Sequence, residues 1–302
     1  MRVLVSGTSG LVGGRLVSAL RAAGHGVTRL VRTRPRGSLE YRWDPKLGIM
    51  DPAALAGCDA VVHLAGESIA AGRWTRARKA AILESRVSGT RLIARAIGRA
   101  VPPPRVLVCA SAIGYYGDRG DETLDEHSPP GDGFLADVVR AWEAAAQTAA
   151  REGVRVVHPR LGVVLSARGG ALPRLVLPFR LGLGGPLGTG GQWMSWITLD
   201  DLVRVLTRLV EDPGISGPVN AVAPGPVMNR DMARTIGRIL SRPSGLPAPA
   251  WALGLLLGQM GRELLLFSQR VKPVVLETSG FDFHHRSIEP ALRHVLAERS
   301  AG

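Results

Sequence analysis

The chain opens on an apolar run, Arg2-Val-Leu-Val-Ser6, and passes directly into Gly7-Thr8-Ser9-Gly10-Leu11-Val12-Gly13 and an amphipathic stretch over 11–23. No other feature limits the possible folds as strongly. A G-x-x-G-x-x-G turn between a strand and a helix lets the backbone turn tightly, brings peptide N–H groups close to a pyrophosphate, and points the positive end of a helix at it. Such glycines also serve packing alone. The dinucleotide reading gains its weight from the context, the first turn of a βαβ unit.

The rest of the first half keeps that rhythm. Strands are expected at 2–6, 26–32, 39–43, 59–65, 105–111 and 154–160, and helices at 11–23, 76–100 and 134–152, with Gly24 and the run PPPR at 102–105 as stop signals. Alternation of this kind predicts an α/β fold, a Rossmann-type doubly wound parallel sheet with a smaller C-terminal substrate-binding region. The expected division is a nucleotide-binding domain over 1–165, its sheet completed by later segments, and a mostly substrate-side region over 166–302 that contains the glycine-rich loop 181–192.

The second strand tests which dinucleotide fits. NAD-binding proteins usually place an acid at its end, on the ribose diol. Here the strand ends Val31-Arg32, followed by Thr33 and Arg34. An arginine there can pair with a 2′-phosphate through two parallel hydrogen bonds. NADPH is therefore expected over NADH, the alternative being a solvated arginine at a strand end.

A net charge of +13 and a pI near 11.2 raise the question of nucleic acid or an anionic membrane. The positive charge is mostly arginine and is spread along the chain, with Lys46, Lys79 and Lys272 as the lysines and no long basic run. No specific nucleic-acid partner and no membrane are expected from that pattern. Cys58 and Cys109 each lie in an apolar run, as reduced buried thiols do, so a cytoplasmic setting is expected, and the N-terminus carries no pattern of a cleaved leader. The most apolar stretch, PAPAWALGLLLGQMGRELLLF, meets Arg262 and Glu263 before reaching the ~20 residues that span a bilayer, and is read as a buried or lid helix.

Several longer motifs extend the argument: SGTSGLVGG (6–14), CDAVVHLAGES (58–68), ESRVSGTRLIARAI (84–97), ASAIGYYGD (110–118), WEAAA (142–146), PRLGVVLS (159–166), LPFRLGLGGPLGTGGQWMSWI (177–197) and DDLV (200–203). Together they resemble the extended short-chain dehydrogenase/reductases, in particular the atypical SDR39U1-like or YfcH-like epimerase branch of the NAD-dependent epimerase/dehydratase superfamily. The resemblance covers nearly the whole chain. It implies that Leu64, Ala65 and Gly66 meet the cofactor, that Asp44 faces adenine, that Arg86 is a further cofactor ligand, and that Arg160 lies beside the nicotinamide. Relatives that self-associate through the second and third helices leave a monomer and a homodimer both open.

One stretch departs from the superfamily pattern. GDGFLADVVRAWEAAA, at 131–146, occupies the helix that usually carries a proton-transferring tyrosine and, four residues on, a lysine. Aligned on Glu143, those positions hold Leu135 and Val139, and neither moves a proton. The usual serine position falls on Ala112. Ser111, Tyr115 and Tyr116 are the remaining catalytic candidates, though a buried tyrosine more often fills space. Glu67, Ser68, Trp74, Gln192, Trp193 and Trp196 are the candidates for holding substrate. The glycine loop is either a lid or a phosphate cradle, Asp200 and Asp201 are expected to cap the helix that follows, and no metal site is expected at His284-His285. The expected function is an NADP(H)-dependent oxidoreductase or epimerase acting on an unidentified small molecule. The alternative is a silent NADP(H)-binding sensor or scaffold.

Overall fold

The structure is a computed structural model that describes residues 1–151 and 153–297; the expected helix end at 152 and residues 298–302 of the C-terminal region lie outside the described residues. The first half runs β1 (Arg2–Ser6), α1 (Leu11–Ala22), β2 (Gly26–Val31), β3 (Glu40–Asp44), β4 (Ile49–Met50), β5 (Ala60–His63), α2 (Arg76–Ile97), β6 (Val106–Cys109), β7 (Ser111–Ala112), β8 (Thr123–Leu124) and α3 (Phe134–Ala150). It continues with β9 (Arg155–Leu161), β10 (Val163–Leu165), α4 (Leu172–Arg180), β11 (Trp193–Met194), β12 (Trp196–Thr198), α5 (Leu199–Glu211) and β13 (Gly217–Ala221). The last part holds β14 (Val227–Met228), α6 (Asn229–Leu240), α7 (Ala250–Leu257), the short α8 (Gln259–Gly261), a π turn at Arg262–Leu266, β15 (Arg270–Val271), α9 (Val274–Thr278) and α10 (Ile288–Ala297).

The main sheet has the order β13-β9-β6-β5-β1-β2-β3-β4, with β7 beside β9 and every pairing parallel except β3 with β4. This is the doubly wound sheet the alternation predicts. Parallel strands covered on both faces read as continuous apolar runs, and β1 shows how they divide: Val3 and Val5 pack with α1 and α5, while Leu4 packs on the opposite face with α2 and α3. The expected strand at 105–111 is two strands, because Ala110 interrupts the pairing before β7 takes up β9.

A separate apolar cluster, including Leu165, Leu172, Phe179, Trp196 and Ile236, forms the core between α4, α6 and α10. It places the C-terminal segments over the carboxyl ends of the strands, where doubly wound sheets bind ligands. Of the two alternatives for the apolar stretch after residue 247, a buried or a lid helix, its first helix is not the buried one. None of the residues of α7 is buried, and Trp251 is 74% exposed.

Candidate functional site

At the end of β1 each glycine of the turn has a geometric reason. Gly7 has φ +73°, and a Cβ there would lie 2.8 Å from the backbone of Leu64 and Ala65; a Cβ on Gly13 would lie 2.2 Å from the Gly7 carbonyl oxygen. Gly10 precedes α1 with no side-chain cap and no acid in the helix's first turn. The turn therefore presents peptide N–H groups and the positive helix end to an anion, unobstructed. Thr8, Leu11 and Val12 are half-buried along it and Ser9 is exposed. Val31 ends β2, and beyond it Arg32 is exposed, with no hydrogen bond or ion pair to it among the described residues. Asp44 closes β3, where its carboxylate accepts from the N–H groups of Lys46 and Leu47 and shapes that turn.

Next to the turn, His63 ends β5 fully buried. Its Nδ1 lies 2.6 Å from Ser6 Oγ, which also accepts from the Leu64 N–H. Burial, reinforced by the charge of Arg86, pushes the imidazole down to about 4, so it is neutral at ordinary pH. Arg86, on α2, donates to the carbonyls of Glu67 and Ile82 and lies over the Trp142 ring, 5.0 Å from its centre. Burial holds its guanidinium down at about 10 against the pull of Glu67, and it is still charged. A Cβ on Gly66 would come within 3.3 Å of that guanidinium, so Leu64, Ala65, Gly66 and Arg86 form one compact wall.

Beyond this wall a cleft of about 1070 Å³ opens between the sheet and the C-terminal segments. Leu135 and Val139, at the positions of the missing tyrosine and lysine, line it, as do Ser68, Arg86, Leu161 and Gly162. A carboxylate that sequence reasoning passed over sits at its edge. Glu263 accepts from the N–H groups of Phe134 and Leu135, at 3.1 and 2.9 Å, and from the side-chain amide of Gln259 at 2.6 Å. It thereby caps α3, whose own N-cap residue Gly133 has no side chain to do so.

The three catalytic candidates occupy a different place, a buried network behind the cleft wall. Ser111 Oγ donates to Glu143 at 2.6 Å, and Arg160 grips the same carboxylate with Nε and Nη2 at 2.9 and 3.0 Å. Arg160 Nη1 donates to the Tyr116 hydroxyl at 3.0 Å, and that hydroxyl lies within hydrogen-bond distance of the Asn220 amide oxygen and the Asp125 carbonyl. Burial pushes Tyr116 up to about 12. Burial would raise Glu143 as well, but the hydrogen bonds and charge of Arg160, with Ser111, hold it below the usual carboxylate value. These are saturated structural groups.

Ser111, Tyr116 and Arg160, expected as acid–base groups and as a cofactor ligand, are thus joined to one another through Glu143. Arg160 is 3% exposed and spent on Glu143, Tyr116 and the face of Tyr115, whose ring centre lies 3.5 Å from the guanidinium carbon. Tyr115 is half-buried under that cation and does not line the cleft. The sequence signal for the network was the glutamate of the WEAAA motif, one turn after Val139, which was used only to fix register.

The substrate-side candidates have partners within the chain. Trp196 is fully buried and donates to the Gly225 carbonyl; Trp193 donates to Asp121 and is covered by Arg270; Gln192 ties Leu187 to Leu265. Trp74, also buried, donates to the Ile69 carbonyl and packs edge-on against Phe134, bracing the 66–74 loop. Glu67 pairs with Arg78, while Ser68 is exposed at the cleft. The glycines of the 181–192 loop admit close neighbours, since a Cβ on Gly185 would meet the Leu246 backbone and one on Gly184 the Phe179 ring. Thr198, not an aspartate, caps α5, and Asp201 accepts from the backbone of His284 and His285.

Comparison with known proteins agrees with this fold. The sequence pattern of the NAD dependent epimerase/dehydratase family matches residues 3–221, and that of a domain of unknown function, DUF1731, matches 248–295. The chain is 44% identical to Epimerase family protein Mb2239 of Mycobacterium bovis, over 96% of each. A crystal structure of human epimerase family protein SDR39U1 with NADPH superimposes with a TM-score of 0.89 at 37% identity, over 98% of this chain and 99% of that one. A structure described as the nucleoside-diphosphate sugar epimerase from Corynebacterium glutamicum does so at 0.83 and 39%, over 99% of this chain and 58% of that one. On the fold, the glycine turn and these similarities, the chain belongs to the NAD dependent epimerase/dehydratase family and, within it, to the epimerase family proteins like SDR39U1.

Proposed function

We propose that the chain binds NADP(H) and uses it for oxidoreduction of a small carbonyl or alcohol compound, alone or as half of an epimerisation. The observation that carries this reading is Arg32, exposed and without a partner among the described residues at the end of β2, beside a glycine cradle that leaves no room for side chains. The human relative crystallised with NADPH supports it. The Gly7–Gly13 turn and the start of α1 hold the pyrophosphate, Arg32 the 2′-phosphate, and the backbone of Leu64 and Ala65 with Arg86 the middle of the cofactor.

When bound, the reduced nicotinamide supplies the hydride. The chain's own residues set the distance and orientation of the partners and exclude water with the apolar wall of Leu135 and Val139. No tyrosine stands at the usual position, and Leu135 and Val139, which line the cleft there, carry no proton. We place the protein in the cytoplasm, acting as a monomer or homodimer; no helix among the described residues is long and apolar enough to cross a membrane.

Exchanging Arg32→Asp tests the cofactor assignment. It should weaken NADPH binding at least tenfold, the loss of a charge-assisted pair worth about 1.5–3 kcal/mol, and leave NADH binding equal or stronger. An unchanged preference refutes the assignment. Failure of the purified protein to oxidise NADPH with any member of a broad carbonyl panel favours the sensor or scaffold reading.

A further inference from the structure

The cleft has an unusual lining for a member of a family named for epimerases. Its deep wall is hydrocarbon: Leu135 and Val139 from α3, Leu175 and Phe179 from α4, and Leu257 and Met260 from the segment around α8. At its mouth Leu183 and Leu246 remain 59% and 57% exposed, which leaves an apolar path from solvent to that wall. A sugar nucleotide presents two phosphates and a ring of hydroxyls, and each hydroxyl needs a partner once water is gone. This wall offers few.

The charged groups of the cleft are unequal. Arg73 and Arg174 are exposed in its lining; the Arg73 side chain has no hydrogen bond or ion pair among the described residues, and Arg174 donates to the Ala70 carbonyl. Of the acids that line it, Glu263 is engaged with the α3 N-terminus and Gln259, and Asp132 is exposed. With Arg86 the lining holds three arginines against these two carboxylates, a net positive charge beside an apolar interior.

We infer that the substrate of this cleft is a lipophilic carbonyl or alcohol compound with a single acidic group at one end, its chain against Leu135, Val139 and Phe179 and its acid beside Arg73. This rests on the redox reading above for the chemistry, but the binding claim stands on the cleft alone.

The test is displacement of 8-anilino-1-naphthalenesulfonate by hexanoate, octanoate and decanoate, with 1-decanol and UDP-glucose as comparisons, on the full chain with and without saturating NADPH. Affinity should rise about three- to fourfold per added methylene, and Arg73→Gln should weaken decanoate about tenfold while leaving 1-decanol unchanged. Leu135→Gln should lower affinity for decanoate and 1-decanol alike, whereas Leu255→Gln, on the outer face of α7, should change neither. Displacement by UDP-glucose with none by decanoate, a flat response to chain length, or loss on Leu255→Gln in place of Leu135→Gln would overturn the inference. NADPH binding is read in the same samples: decanoate binding without NADPH binding sinks the redox reading and leaves this one standing, and the reverse sinks only this one.

Discussion

Replacing Glu143 with leucine removes the carboxylate that holds Arg160 with two hydrogen bonds at 2.9 and 3.0 Å and also accepts from Ser111. Arg160 is 3% exposed, so it stays charged while two of its three hydrogen bonds lose their acceptor. Breaking a buried pair from one side costs about 3–5 kcal/mol. At roughly 2 °C per kcal/mol for a chain of this size, that is a fall in Tm of about 6–10 °C. Arg160→Met should cost a similar amount, because it strands Glu143 instead. The double variant, Glu143→Leu with Arg160→Met, should lose clearly less than the two single losses added, since no unpaired charge remains. Urea unfolding followed by tryptophan fluorescence measures all three. A Glu143→Leu variant within about 1 kcal/mol of the parent, or strict additivity, would refute the claim that this pair is a buried scaffold.

Other outcomes follow from the same geometry. Gly13→Ala places a Cβ 2.2 Å from the Gly7 carbonyl oxygen, so it should abolish detectable NADPH binding in a fluorescence titration; retained affinity would mean the turn opens freely. Tyr116→Phe should lower stability by about 1–3 kcal/mol in urea, by leaving Arg160 Nη1 and Asn220 short of a partner, and leave NADPH affinity unchanged; an intact stability would show the network to be dispensable. His63 takes up its proton near pH 4 in the folded chain and near 6.5 in the unfolded one, so the unfolded state binds more protons between those values. Stability from this source is complete above pH 6.5 and falls by about 3 kcal/mol as pH drops to 4. His63→Asn should flatten that part of the urea midpoint against pH; an identical slope in parent and variant would rule His63 out as its source.

What was legible in the sequence was what a local backbone requires. The Gly7–Gly13 turn, the strands of the parallel sheet and the departure at Leu135 and Val139 can all be read within a few residues of chain, and the family resemblance carried the fold further. Short strands such as β4, β8 and β15 have too few residues to show a period. The Glu143–Arg160 pair is a meeting of α3 with β9, and the acid that caps α3 comes from Glu263, 129 residues on from Phe134. Neither partner advertises the other in sequence. The same limit hides the partners of Gln192, Trp193 and Trp196, whose polar edges are held by Leu187, Leu265, Asp121 and Gly225. For the apolar run after 247 composition leaves a buried and a lid helix both open, because it does not say which surface a helix lies on.

The account depends most on an NADP(H) site in the cradle between Gly7 and Arg32. Calorimetric titration of the purified chain with NADPH and with NADH measures this directly. NADPH should bind at least tenfold more tightly, by the charge-assisted contact of Arg32 with the 2′-phosphate; equal affinities, or heat from neither, would contradict the account.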